Sequence, residues 1–200
     1  HSVTIIDETW HNGGWQGGYT STYQDININL PNNITTYDTL EVFHEHACED
    51  RRNRYSNSDG SNGGCHEWDY LAYMKICNRD NSSVCGTEYM RWITTYGREG
   101  RWLTDITPYM FMLEDNDVRT FKYQGANKGL MTIKLLFSDW DVGERSSSGE
   151  RVFTGGEFKG QYNNESQYKR QHNFTALTDY HHVKIVATIT GHGFNQDQAN

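Results

Sequence analysis

Apolar and polar residues take turns along much of this chain. Asp25-Ile26-Asn27-Ile28-Asn29-Leu30 puts Ile26, Ile28 and Leu30 on one side and polar residues on the other. Val183 to Thr190 repeats the pattern with Val183, Ile185, Ala187 and Ile189. A period of two is the signature of a strand with one face buried, and Leu40 to His44, Tyr70 to Cys77, Tyr89 to Thr95 and Leu130 to Phe137 read the same way. No window sustains a helical period. Trp102 to Met110 has room for a helical turn, which Pro108 limits. Two long polar segments, Glu49 to Gly64 and Ser138 to about Thr178, read as loops, the second with one or two weak strands. Short strands separated by Gly/Asn/Ser turns predict an all-β protein, an antiparallel jelly-roll β-sandwich of about eight strands.

Composition changes this picture in one respect. The 200 residues include 6 Trp, 13 Tyr and 8 Phe, and mean hydropathy is −0.85. Aliphatic side chains are scarce, so aromatic rings must supply much of the core. The formal net charge of −8 argues against a nucleic-acid partner, which requires a basic surface. No apolar run is long enough for a membrane-spanning helix.

Cys48, Cys65, Cys77 and Cys85 suit an oxidising, extracellular setting. Three pairings are open. Nearest-neighbour pairing, Cys48–Cys65 with Cys77–Cys85, closes two local loops and is favoured. Neither gap has the short spacing of a zinc ligand pair. Four N-x-S/T sequons begin at Asn33, Asn81, Asn164 and Asn173; beside paired cysteines they suggest a glycosylated secretory product. The chain starts at His1 as if processed or truncated, and stops at Asn200 just after a strand pattern, as if cut short.

The stretch with the most specific chemistry is Gly64-Cys65-His66-Glu67-Trp68-Asp69-Tyr70-Leu71-Ala72-Tyr73-Met74. Two carboxylates stand two residues apart at the entrance to a strand, so Glu67 and Asp69 share one face, Trp68 and Tyr70 the other. Such a pair often forms only a solvated strand face. It also suits a general base that activates water, assisted by like-charge repulsion from its neighbour.

This Cys-x-Glu-Trp-Asp segment, with a second cysteine upstream at Cys48, resembles the N-terminal domain of the peptide-N-glycosidase F family. Arg91-Trp92-Ile93-Thr94-Thr95-Tyr96 is similar to the family's Arg-aromatic-Ile-Thr strand, Trp102 to Pro108 to its Asp-(Ile/Val)-Thr segment, and Thr188 to Gly193 to the strand and turn that open its second domain. The resemblance implies two eight-stranded jelly rolls side by side, and hydrolysis of the amide that joins an N-glycan's first N-acetylglucosamine to asparagine. It implies that Asp69 is the catalytic carboxylate, working through water, with Glu67 beside it. It places Trp68, Tyr70, Arg91 and Trp92 against substrate and implies no cofactor. Residues 1–182 would be the first jelly roll and 183–200 a linker or the first strand of a second domain. Family enzymes carry supporting glutamates, one on a later strand, which here reads Phe121 to Asn127 without an acid, and one in the second domain. Two functions follow as expectations: half of a secreted amidase acting on N-glycoproteins, or an inactive extracellular module that binds glycans or neighbouring protein subunits.

Other candidates carry plainer readings. His44 and His46 share a strand face in the H-x-H spacing of metal sites, while His181-His182 alternate faces. Asp139 to Glu144 reads as a turn rather than a calcium loop. Trp10, Trp15 and Tyr19 in a Gly-rich segment read as core filling before a glycan platform.

Overall fold

The alternating segments pair into two four-stranded antiparallel sheets. The computed structural model describes residues 1–11, 22–48, 65, 69–125, 128–142, 145–152, 173, 175, 179 and 182–189. The strands are β1 (Ser2–His11), β2 (Thr22–Asn29), β3 (Thr39–Ala47), β4 (Leu71–Ile76), β5 (Thr87–Ile93), β6 (Gly100–Asp105), β7 (Val118–Gly125) and β8 (Gly129–Ser138). One sheet has the order β1-β8-β3-β6 and the other β2-β7-β4-β5. Successive strands therefore keep crossing between sheets, which is the double Greek key of an eight-stranded jelly roll.

Alternation decides which side chains lie between the sheets. β3 turns Leu40, Val42, His44 and His46 inward, β8 turns in Met131, Ile133, Leu135 and Phe137, and β4 turns in Ala72, Met74 and Ile76. Phe121, Tyr123, Tyr89 and Trp92 from β7 and β5 complete the core. The scarcity of aliphatic residues is met as composition requires: Tyr89 packs edge-on to Phe121 with centroids 5.7 Å apart. Two 3₁₀ turns, Ile34–Thr36 and Thr107–Met112, close one end of the sandwich by burying Ile34, Ile106 and Met110.

Local patterns do not settle every segment. β1 escapes the pattern because its register shifts between Thr4 and Ile6 and again between Ile6 and Thr9. Glu8 stands at φ 38°; such bulges interrupt the period of two and twist an edge strand away from further pairing. The Trp102 to Met110 stretch holds its helical turn only in its second half: the first half belongs to β6, and a 3₁₀ turn begins at Thr107 with Pro108 in its first positions. The Val183 to Thr190 pattern forms no strand over the described residues 182–189. Val183, Ile185 and Ile189 are 65, 85 and 87% exposed. A strand needs a neighbour for its hydrogen bonds and a covered face, and the pattern alone supplies neither. The weak strands expected after Ser138 are also not found among the described residues there.

Candidate functional site

One end of the sandwich gathers the unusual chemistry. β1 and β3 arrive there at His11 and Ala47, β7 ends there at Gly125, and β4, β6 and β8 begin there; the pairs His11↔Gly129, His46↔Gly100 and Ala72↔Gly125 mark the level. The Cys48–Cys65 disulfide ties the end of β3 to the segment that leads into β4. Cys77–Cys85 closes the β4–β5 connection at the other end. The favoured pairing is therefore the one observed.

Asp69 lies four residues after Cys65 and two before β4. Its neighbour Tyr70 is fixed by two backbone bonds: the Tyr70 amide donates to Thr94 Oγ1 at 2.8 Å, and the Thr94 amide donates to the Tyr70 carbonyl at 2.9 Å. With the chain held on both sides, Asp69 is 8% exposed although it belongs to no strand. The half-exposed Tyr96 reaches it from beyond β5. The Tyr96 hydroxyl donates to the Asp69 carboxylate, and this bond raises the hydroxyl's pKa above the ordinary tyrosine value. Gly97, at φ 53°, follows directly in the turn. Tyr96 had no motif of its own to mark it; its one signal was its place in the Arg-Trp-Ile-Thr-Thr-Tyr run. Glu67 and Trp68 lie outside the described residues, as do His181, Trp15 and Tyr19.

The other expected site residues separate by face. Tyr70 is half-buried. Trp92 is 3% exposed and lies between the sheets, its ring 4.4 Å from that of His44. Arg91 points the other way, bonded twice to Glu88 at 2.6 and 2.8 Å and lying 5.0 Å over the Tyr73 ring. The later strand does arrive beside the Asp69 segment, at Gln124 and Gly125. Gln124 Oε1 accepts a bond from Lys75 Nζ at 3.2 Å. Gly125 is at φ 87°, and a Cβ there would fall 2.2 Å from the Leu71 carbonyl oxygen, so only glycine lets β7 approach β4 this closely. Of the sequons, Asn33, Asn81 and Asn173 are exposed, and Asn164 lies outside the described residues.

Beneath Asp69's end of the sandwich lies a buried histidine group. His44 stacks on Trp102 with centroids 5.0 Å apart and shares a 3.3 Å hydrogen bond with the Tyr123 hydroxyl. His11 Nε2 donates to the Gly125 carbonyl at 2.6 Å, and the His11 ring meets Tyr123 edge-on at 5.2 Å. His44 and His46 are both buried between the sheets, at 0 and 1% exposure. Burial holds His44 well below the usual imidazole pKa, with smaller contributions from His46 and His11. Burial also lowers His11, against the opposing effect of its Gly125 bond.

Both shifts have the same consequence. The folded protein keeps these rings neutral while the unfolded chain takes up protons below pH 6.5, so stability is complete above that value and falls as pH drops. Each pH unit over which His44 alone stays neutral lowers stability by about 1.4 kcal/mol. Urea unfolding at about pH 7.5 and about pH 5 should show this loss. His44→Gln should flatten it; an equal acid loss in that variant would remove His44 as its source.

No family model matches the chain, and no curated protein matches it. Two solved structures are similar in shape. One is a peptide-N(4)-(N-acetyl-β-D-glucosaminyl)asparagine amidase, at 17% identity with a TM-score of 0.49. The other is PNGase F, a glycosylasparaginase from Flavobacterium meningosepticum, at 16% identity with a TM-score of 0.48. Each comparison covers 70% of this chain, which spans only 42% of the length of either protein.

Proposed function

We propose that this chain is the first jelly roll of an extracellular amidase acting on N-glycoproteins, with Asp69 as the residue that activates water. The observation that supports this most is the placement of Asp69. A nearly buried carboxylate stands at the end of the sandwich where β4 begins, outside any ladder, held by the Cys48–Cys65 disulfide on one side and the Tyr70–Thr94 bonds on the other. A general base needs this kind of fixed position with access to a substrate. In the proposed reaction a water molecule loses a proton toward Asp69, and its oxygen bonds to the side-chain carbonyl carbon of the glycosylated asparagine. Asp69 then returns the proton to the leaving nitrogen as the C–N bond breaks, which leaves aspartate in the peptide and releases the glycan as its glycosylamine. Glu67, Trp68 and Tyr70 would flank the reacting amide, and a second jelly roll would complete the cleft; Trp92, buried between the sheets, would support the site from beneath, while Arg91 is engaged with Glu88 on the other face. The disulfides fit an oxidising compartment, and no helix among the described residues is long and apolar enough to cross a membrane.

One observation favours a second reading, an extracellular binding or assembly module without catalysis. Where β7 meets the Asp69 segment it offers Gln124, engaged with Lys75, and the side-chain-free Gly125. Neither residue carries a carboxylate. The test is direct. A chain carrying residues 1–200 and the proposed second jelly roll should be incubated with a denatured N-glycoprotein, and the peptides weighed. Conversion of glycosylated Asn to Asp supports the amidase. Retained glycans with tight binding of the glycoprotein would favour the module.

A further inference from the structure

At the end of the sandwich opposite Asp69 there is an open groove of about 610 Å³, within the size range of small-molecule clefts. Phe111 and Leu113 give its lining an apolar part; Thr35, Glu114, Asp115, Arg145 and two serines give it a polar one. The polar part is built rather than incidental. Arg145 Nη1 donates to the Ile34 carbonyl at 2.8 Å, and Asp115 Oδ1 accepts from the Thr35 amide at 3.3 Å. The Gly149 backbone lies so close to the Phe111 ring that a Cβ would fall 2.7 Å from it, which sets how the half-buried ring is held.

Thr35 is also the third residue of the sequon Asn33-Ile34-Thr35. Asn33 is exposed, and its side chain makes no capping bond to the 3₁₀ turn it precedes, so the amide nitrogen is at liberty to carry a sugar. We propose that Asn33 is N-glycosylated and that the groove is the seat of its first N-acetylglucosamine. The occupant is suggested by tethering and by chemistry. A sugar linked two residues from the groove wall has a high effective concentration there, so weak contacts suffice to hold it. A pyranose presents one face of C–H bonds that packs on an aromatic ring such as Phe111. Its hydroxyls and acetamide suit the polar part, with Thr35, Asp115 and Arg145. The inference rests on the secretory setting proposed above, but not on the amidase activity.

The test uses the chain made in a eukaryotic secretory host, with occupancy mapped by mass spectrometry and every glycan trimmed to a single N-acetylglucosamine. Asn33→Gln should lower Tm by about 2–4 °C, the usual response of a domain this size to one modest interaction. The same substitution in protein from a bacterial periplasm, which carries no glycan, should leave Tm unchanged. In a Phe111→Leu background, which keeps apolar bulk but loses the flat ring, the glycan's contribution should shrink or vanish; Phe111→Ala provides a second background. An equal drop with and without the ring would overturn the proposal. So would an unoccupied Asn33 beside an occupied Asn81 or Asn173. If no sequon is occupied, the secretory reading falls together with the groove.

Discussion

On the amidase reading proposed above, replacing Asp69 by Asn in a chain that includes the proposed second jelly roll is expected to reduce glycan release by about 10²–10⁴-fold, the range over which a positioned general base contributes. Asn has the same shape and retains an oxygen that accepts the Tyr96 hydroxyl bond. The fold should survive, because Asp69 lies outside every strand and its neighbour Tyr70 is held through backbone bonds to Thr94. Release should be followed as a rate over several pH values, with thermal unfolding measured in parallel to confirm an unchanged Tm. Tyr96→Phe provides the comparison. It touches the chemistry only through Asp69, so its loss should be smaller, on the order of tenfold. An Asp69→Asn enzyme that releases glycans at the original rate would remove Asp69 from the mechanism, whatever the activity of the intact chain.

Removing the Cys48–Cys65 bridge by a double Cys→Ala substitution should cost about 3 kcal/mol of stability. The two cysteines are 17 residues apart, and the loop they close regains its freedom in the unfolded chain. Both are nearly fully buried, at 0 and 2% exposure, so the substitution also opens a small gap where β3 leaves the sheet. Typical domains have a margin of roughly 5–15 kcal/mol, and a loss of this size should appear as a clear shift in the urea midpoint. The bridge also fixes one side of the Asp69 segment, so activity should fall more than stability alone explains under conditions where the variant remains folded. Removing Cys77–Cys85, at the far end, should change stability while leaving the rate of the folded protein intact. Equal effects of the two bridges on that rate would show that the first has no special relation to Asp69.

The sequence by itself determined the class of fold and much of its interior. A period of two over Leu40 to His44, Tyr70 to Cys77 and Leu130 to Phe137 assigns faces as well as strands, because a residue's parity sets the side of the sheet it occupies. It placed His44 and His46 on one face, and the core received both. It also brought out the Cys48–Cys65 pairing and Asp69 as the acid to watch, since local loops and a short motif are legible within a few residues. Where local rules broke, legibility ended. β1 has bulges that a periodic template does not follow, and Val183 to Thr190 has the pattern of a strand, yet no strand forms over the described residues 182–189.

Only the tertiary structure decided what stands beside what. Tyr96 and Asp69 are far apart in sequence, and nothing local marks them as partners. Their meeting depends on β4 pairing with β5 and on the Thr94–Tyr70 bonds that set the depth of the turn. The same holds for Gly125 under Leu71, for the burial that keeps His44 neutral, and for Thr35 sharing a groove with Phe111. Strand identity is a property of neighbours along the chain, where each residue's environment repeats. A site is made where strands distant in sequence end together, and which ends meet is settled by the pairing order of two sheets and the packing between them.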